Sequence, residues 1–267
     1  MSPPTQIIGQ MIVHNEDRFL RRAALNIADF CDRVLLVEHR SDDATPEICA
    51  ELARENPKFE VRRIRDPREA SEMLQPFAST PSWVFGVDGD EIYDPAGLAR
   101  LRGELLAGAF AKWWVLFGNV CNCVELDEAA KIARGYLAPP CRSMTKLYNF
   151  AALARLDPDS PQPFGGSRDV FQTGHGGYTA RCELFHESPW ESARFRCLHV
   201  CFMQRSSRQT PGALARENMS ERRRFSALAL LRRAAARLTG GSAQSPWKRE
   251  KYMRGPLVSV DASPFFP

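Results

Sequence analysis

The sequence predicts an α/β fold in which a mostly parallel central sheet is flanked by helices. Short apolar runs rich in β-branched and aromatic residues alternate with segments whose apolar residues recur at helical spacing. That alternation is typical of parallel strands joined by right-handed crossovers. Three of the predicted strands end abruptly in polar or acidic residues. Because ligands of open α/β sheets bind at the carboxyl ends of the strands, one edge of the sheet is predicted to be a binding crevice.

Length and composition are ordinary for one large soluble domain, or for one domain with an appendage. The chain has 267 residues, 44% of them hydrophobic and 25% charged, and its formal net charge of +4 does not by itself imply nucleic acid. The first residues, MSPPTQ, lack the basic region and long apolar segment of a signal peptide, so we expect none, and no apolar run is long enough to span a membrane. The eight cysteines lack the paired spacing of a zinc ribbon, so we expect a cytoplasmic protein with reduced thiols.

The first three predicted strands are each followed by a helix. IIGQMIV runs into the polar segment HNED (residues 14–17), and VLLV runs into EHRSDD (residues 38–43). A helix with Thr45 as its expected N-cap follows the second strand, since Thr is a good cap and Pro is favoured at the first helical position. FEVRRI (residues 59–64) is the third strand, and a helix is predicted over residues 68–79.

The stretch WVFGVDGDEIYD (residues 83–94) combines a buried strand with an acidic end. Asp88, Asp90 and Glu91 place three carboxylates in four residues, too costly to bury unpaired, so we expect them to face water or a cation. Two Asp separated by one Gly can place carboxylate oxygens on one hard divalent cation, with the Gly allowing a tight turn. An acidic turn that only ends the strand is the alternative.

The second half of the chain gives fewer signals. A helix is predicted over residues 95–108, an apolar strand region over residues 111–124 and a late buried strand over residues 195–203. The segment 138–180 is rich in Pro and Gly and is predicted to be loop, and loops of that length are usually functional or mobile.

From residue 205 the composition changes to arginine with few acids. Phe225, Leu228, Leu231 and Leu238 fall on roughly one face of a predicted basic amphipathic helix. Either this helix packs on the domain with its Arg face in solvent, or it contacts an anionic membrane surface or an acidic acceptor.

Three motifs in order carry a resemblance to a known family. IVHNEDRFLRRAA follows the first strand, VLLVEHRSDDATPEI resembles the signature Val-Val-Asp-x-x-Ser-x-Asp-x-Thr, and VFGVDGDE resembles an Asp-x-Asp motif followed by Glu. Together they resemble the nucleotide-sugar-binding half of a family 2 glycosyltransferase with the GT-A fold. The resemblance implies transfer of a sugar from a nucleoside-diphosphate sugar, with UDP as the expected nucleotide, to an acceptor hydroxyl. It also implies inversion at the anomeric carbon and a divalent cation, Mn2+ or Mg2+.

The resemblance is specific over residues 7–94 and looser to about residue 203. It implies a catalytic domain over residues 1–204, with a nucleotide-sugar half over about 1–110 and an acceptor half over about 111–204. Residues 205–267 are then a basic helical C-terminal extension.

The resemblance further implies a set of donor-binding residues in the polar segments that follow the strands. Glu38 takes the place of the usual Asp, and Arg40 and Ala44 stand where the family often has Gly. The expected donor-binding residues are His14, Asn15, Glu16, Glu38, Arg40, Ser41, Asp43, Asp66, Arg68 and Asp88.

The metal site and the catalytic base are implied by later motifs. Asp90 is the position that usually holds the metal, with Asp88 facing the ribose or diphosphate. His199 resembles the late His that completes the metal site, and a hydrogen-bonded core His is the alternative for this residue.

An inverting transfer also needs a general base beside the acceptor hydroxyl. HESPWES contains Glu187, which resembles a His-Glu pattern seen in part of the family. Glu187 is therefore the expected base, with Glu183 and Asp169 as rivals.

Two other classes of function stay open. One is a nucleotide-sugar-binding protein without turnover. The other is a nucleotidyltransferase-like enzyme, although that class needs a Gly-rich loop after the first strand, where this chain has HNED. The Arg-rich segment lacks the interleaved aromatics that stack nucleic-acid bases. The expected partners are a nucleotide sugar, a hydroxyl acceptor (a glycan, a lipid-linked glycan or a small metabolite) and, through the basic helix, a membrane surface, but no nucleic acid.

Overall fold

A computed structural model describes the chain except for several segments, two of them long and internal. The described residues are 5–66, 68–153, 156, 182–186, 188–209 and 251–267.

Eleven strands and four α-helices occur in the described part of the chain. The strands are β1 (Gln6–Val13), β2 (Arg33–Glu38), β3 (Phe59–Arg63), β4 (Ser82–Val87), β5 (Glu91–Tyr93), β6 (Val115–Asp127), β7 (Ile132–Ala138), β8 (Thr145–Asn149), β9 (Cys182–Glu183), β10 (Arg196–His199) and β11 (Leu257–Asp261). The helices are α1 (Leu20–Ala28), α2 (Thr45–Glu55), α3 (Arg68–Glu72) and α4 (Pro95–Leu106).

The strands form one sheet whose two halves differ in direction. The order β4-β1-β2-β3 is parallel throughout, as the alternation of strands and helices predicts. Beyond β4 the order continues through β8, β6, β7 and β11, and each of these pairings is antiparallel. The α/β class with flanking helices is confirmed, and the parallel arrangement belongs mainly to the N-terminal half.

The central strand β1 is buried on both faces. Ile7 and Met11 pack in the core layer that contains α1, whereas Ile8 packs in the opposite layer with Val84. This alternation follows from the two-residue period of a strand. Burial on both sides explains why the strand appears in the sequence as a continuous apolar run.

Several elements differ from their predicted bounds. The N-cap of α2 is Ala44, and Thr45 is the first helical residue, with its hydroxyl accepting a hydrogen bond from the Glu16 amide instead. The helix predicted over residues 68–79 is the short α3 followed by a 3-10 turn. The strand β8 lies in the segment that the sequence predicted to be loop. Its five residues alternate in burial only at the start, and the Pro and Gly residues around them hid the strand pattern.

The last residues of the chain join the sheet. β11 pairs antiparallel with β7 from Leu257 opposite Tyr136 to Asp261 opposite Ile132. Phe265 is fully buried against Trp190, with ring centroids 6.0 Å apart. The structure therefore differs from the expectation that residues 205–267 form one helical extension, and the predicted basic helix itself lies outside the described residues. Among the helices that the structure does describe, none combines the length and apolar character that crossing a membrane requires.

Candidate functional site

The carboxyl ends of β1, β2 and β4 meet at one edge of the sheet. Val13 at the end of β1 lies opposite Glu38 at the end of β2, and Met11 lies opposite Val87 at the end of β4. This register brings the polar segment after each strand to the same edge, as the sequence predicts.

The segments after β1 and β2 are joined by hydrogen bonds. Asn15 donates from its side chain to Asp42 at 2.6 Å, and the Asp42 amide donates back to Asn15 at 2.9 Å. The Asn15 amide donates to the Ser41 hydroxyl at 3.1 Å. Asn15 has φ 53° and Arg40 has φ 55°, a left-handed conformation that Asn tolerates better than most residues. The two predicted donor-binding segments thus form one surface.

Glu38 has an internal role in this surface. It is buried, and its Oε1 accepts a hydrogen bond from the Ser41 amide at 2.5 Å, while Arg63 lies 3.9 Å from its Oε2. The carboxylate therefore closes the turn after β2. Glu is long enough to reach the Ser41 amide across the turn, although the family resemblance suggests an Asp at this position.

The two histidines of these segments link the ends of the first three strands. His14 Nδ1 donates to the carbonyl of His39 at 2.6 Å, and His39 Nε2 donates to the carbonyl of Arg65 at 3.2 Å. Asp66 and Arg68 follow, paired at 2.6 Å and partly exposed. The expected donor-binding residues near the third strand are thus placed at the same edge.

The acidic turn after β4 leads into β5, which pairs with the late strand β10. Glu91 lies directly opposite His199 in this antiparallel pair. Asp94 caps α4 by accepting a hydrogen bond from the Gly97 amide, and it also forms a buried ion pair with Arg196 at 2.9 Å. The ion pair holds the first residue of β10, and the pairing then carries the histidine to the acidic turn.

Asp88, Glu91 and His199 form the candidate cation site. Ligand atoms of the three side chains lie within 4.8 Å of one another. His199 Nδ1 donates to Asn122 Oδ1 at 3.1 Å, which leaves Nε2 as the nitrogen able to bind a metal. Two carboxylates and an imidazole suit a divalent first-row ion such as Mn2+. The residues therefore fit the divalent cation that the resemblance implies. Glu91, which the sequence places in the acidic turn without assigning it as a metal ligand, is a member of the group.

Asp90 does not face water. Its side chain is fully buried, its Oδ2 lies 3.1 Å from Arg205 Nη1 and its Oδ1 lies 3.7 Å from His199 Nε2. The expectation that this carboxylate faces water is wrong, because a guanidinium from a distant part of the chain balances its charge in the interior. The assignment of Asp90 as a metal ligand stays a prediction.

Gly89, between the two aspartates, allows the Glu16 side chain to approach the backbone of the acidic turn. A Cβ at this position would collide with Oε2 of Glu16, whose carboxylate reaches under the acidic turn. Gly89 is not among the residues with positive φ. The chain does turn tightly here, since the Glu91 amide donates to the Asp88 carbonyl at 3.0 Å. The missing side chain of Gly89 leaves space for the Glu16 carboxylate.

Glu91 is partly buried and is held by hydroxyl groups. Its Oε2 accepts a hydrogen bond from the Tyr93 hydroxyl at 2.9 Å, and that hydroxyl lies 2.5 Å from the Thr145 hydroxyl. Burial, reinforced by the charges of Asp88 and Asp90, raises the pKa of Glu91 to about 8. A nearby cation would have the opposite effect and favour the ionised carboxylate.

The candidate bases are only partly described. Glu183 lies in β9, which pairs with β6, and its Oε2 is 3.3 Å from His186 Nε2. Glu187 and Asp169 lie outside the described residues. Their assignment as bases stays a prediction.

Comparisons with known proteins add likenesses of fold. No protein-family model and no curated protein matches the chain. Among solved structures, it is similar to S. aureus TarS 1-349 with 16% identity and a TM-score of 0.37, over 58% of this chain and 51% of that one. It is similar to glucosyl-3-phosphoglycerate synthase from Mycobacterium tuberculosis in complex with UDP, with 16% identity and a TM-score of 0.37, over 57% of this chain and 59% of that one. It is also similar to the mannosyltransferase PcManGT from Pyrobaculum calidifontis in complex with GDP-Man and Mn2+, with 15% identity and a TM-score of 0.41, over 74% of this chain and 59% of that one. The chain thus spans between half and three fifths of these structures.

Proposed function

We propose that this protein is a glycosyltransferase that moves a sugar from a UDP-sugar to an acceptor hydroxyl with inversion, assisted by Mn2+ or Mg2+. The observation that carries the proposal is the pairing of Glu91 with His199, which gathers Asp88, Glu91 and His199 beside the loops after β1 and β2. Oxygen-rich cation sites at such an edge commonly take substrate phosphates as further ligands. The acceptor is a glycan, a lipid-linked glycan or a small metabolite.

The cation, its ligands and the residues that orient them have different roles. When bound, the cation neutralises charge on the leaving diphosphate as a Lewis acid. Asp88, Glu91 and His199 would hold it, and Asn122 orients the imidazole through its 3.1 Å hydrogen bond. Because Ser143 also donates to Asn122 Oδ1 at 2.8 Å, the orienting amide is itself fixed.

The donor surface is proposed to use two kinds of residue. Exposed or partly exposed side chains such as Arg40, Asp66 and Arg68 are available to contact base, ribose or phosphate. Glu38 and Ser41 are engaged with each other and would act by fixing the shape of the loop. Pre-organised loops of this kind lower the ordering cost of binding.

The base is proposed to be Glu187, with Glu183 and Asp169 as rivals. A carboxylate within hydrogen-bond reach of the acceptor hydroxyl removes its proton as the sugar is transferred. In the sequence, Glu187 immediately follows the 3-10 turn that ends at His186 and precedes the strand that carries His199.

A ligand screen tests the proposal. Melting temperatures are measured with UDP-, GDP- and dTDP-sugars, each with and without Mn2+, since a ligand that binds the folded state raises its melting point. We expect the largest rise with a UDP-sugar plus Mn2+, and its loss in Asp88→Asn. The matched control is Glu128→Gln, which removes an exposed acid in the β6–β7 turn.

The ligand that stabilises the protein is then used in an assay of nucleotide release and of the anomeric configuration of the product. Release with inversion supports the proposal. Binding without release or transfer identifies a nucleotide-sugar-binding protein instead. Absence of any Mn2+-dependent stabilisation contradicts the site.

A further inference from the structure

Arg205 reaches into the acidic centre from beyond β10. Its Nη1 lies 3.0 Å from Glu16 Oε1 and 3.1 Å from Asp90 Oδ2. The exposed fractions of the Arg205, Glu16 and Asp90 side chains are 11%, 3% and 0%. One guanidinium therefore balances two buried carboxylates that come from the ends of two different strands. Without it, two negative charges would be buried beside the candidate cation site, at a high cost in desolvation.

The loop that carries this side chain, residues 204–209, is docked on the donor surface. Ser206 donates to Asp43 at 2.6 Å, and the Ser207 amide donates to Asp17 at 2.8 Å. The carbonyl of Arg205 accepts a hydrogen bond from the Arg18 amide at 3.0 Å. These contacts hold the guanidinium at the acidic centre.

We propose that Arg205 is a positioning residue that competes with the divalent cation for Asp90. The inference rests on the proposed function, in that the cation is the one that assists the sugar transfer. Asp88, Glu91 and His199 offer one ligand atom each, and Asp90 Oδ1 lies 3.7 Å from the same imidazole. Asp90 becomes available to the cation as the guanidinium moves away from it.

The competition between Arg205 and the cation follows from their like charges. A guanidinium and a divalent cation repel each other strongly at separations of a few ångströms in a partly desolvated site. With Arg205 in place the centre is stable without metal and binds it weakly. Binding of the cation by Asp90 would remove one of the two carboxylate partners of the Arg205 guanidinium. The loop of residues 204–209 would then lose one of the contacts that hold it in place. Arg205 thus sets both the cation affinity and the closure of the loop over the donor surface.

Titration of Mn2+ into the full-length protein without nucleotide sugar, followed by calorimetry, tests the competition. Arg205→Gln removes the positive charge, and we expect it to bind Mn2+ at least about tenfold more tightly than the wild type. Arg205→Lys keeps the charge and should stay near the wild-type affinity. Arg208→Gln, which removes an exposed charge from the same loop, is the matched control and should change little. Equal or weaker Mn2+ binding by Arg205→Gln, or no Mn2+ binding by any of these proteins, overturns the proposal.

Hydrogen exchange on the wild-type protein gives a second test that does not depend on how the variants fold. Adding Mn2+ should speed exchange at the amides of Arg18 and Ser207, because both donate hydrogen bonds between the loop and the segment after β1. Unchanged or slower exchange at both amides would count against competition.

These readouts separate the inference from the proposed function. Sugar transfer by the wild type together with unaltered Mn2+ affinity in Arg205→Gln would remove only the role of Arg205. The expected Mn2+ effect in a protein that transfers no sugar would remove only the proposed reaction.

Discussion

The proposed donor side of the site, formed by the loops after β1 and β2, and the C-terminal contributors to the site are assembled in opposite ways. On the donor side, each polar side chain directly follows the strand that places it, as Glu38 follows the apolar core of β2. On the C-terminal side, His199 reaches the acidic turn through the β5–β10 pairing, and Arg205 contacts a carboxylate 115 residues earlier in the chain. Local order therefore fixes one side, and long-range pairing fixes the other.

The difference has a consequence for stability. The loops after β1 and β2 are joined by exposed hydrogen bonds, such as those between Asn15 and Asp42. The C-terminal contributors depend on buried partners, such as Arg205 with Asp90 and Phe265 with Trp190. Substitutions on the donor side should therefore affect ligand binding more than folding, and those on the C-terminal side should affect folding as well.

Asp88 and Asp90 give the largest expected contrast. Both Asp88→Ala and Asp90→Ala should abolish Mn2+-dependent turnover. Asp90→Ala should also lower the free energy of unfolding by about 3 kcal/mol, because it removes one of the two buried carboxylates that pair with the Arg205 guanidinium. Asp88→Ala should change it far less. Urea unfolding and nucleotide release measure the two effects, and equal stability of the two variants would contradict the buried role of Asp90.

Phe265 tests the C-terminal contribution to folding. Its side chain is fully buried, so Phe265→Ala should lower the free energy of unfolding by about 3 kcal/mol. Leu257→Ala on β11 is the control, since Leu257 is 44% exposed and its loss should cost less than about 0.5 kcal/mol. If both variants unfold at the wild-type urea concentration, the C-terminal residues do not complete the core.

Glu187 tests the catalytic base. Glu187→Gln keeps the size of the side chain and removes its basicity, so turnover should fall by about a hundredfold while calorimetric donor affinity stays nearly unchanged. Glu183→Gln and Asp169→Asn are measured in parallel. Wild-type turnover by Glu187→Gln, with a dead variant at one of the other two positions, would assign the base to that position.

Glu91 should give the smallest effect, a difference in the pH dependence of stability. Its pKa of about 8 in the folded protein lies above its ordinary value of 4.5, so the folded state holds a proton that the unfolded state has released between these pH values. Without a cation, this group's contribution to stability is therefore full below pH 4.5 and is lost as the pH rises towards 8. Glu91→Gln should melt close to the wild type at pH 5 and a few degrees above it at pH 8. The same difference in melting temperature between Glu91→Gln and the wild type at every pH would contradict the raised pKa.

The parts of the site that sequence predicts are those with a local signal. An apolar run followed by acids indicates a buried strand that ends at a binding edge, and β1, β2 and β4 have this pattern. Arg205 has no such signal. It is the first of many arginines in the C-terminal part of the chain, and nothing in the sequence distinguishes it from the others. β7 and β11 also escaped prediction, since their partial exposure weakens the apolar pattern and their pairing joins residues far apart in the chain.

Diffraction from crystals grown with Mn2+ and the stabilising nucleotide sugar, recorded at the manganese absorption edge, tests the central claim most directly. A single anomalous peak within coordination distance of Asp88, Glu91 and His199 Nε2, in contact with the donor diphosphate, is the predicted result. A manganese peak away from all three side chains, or a donor bound at the sheet edge with no manganese beside it, would contradict the account.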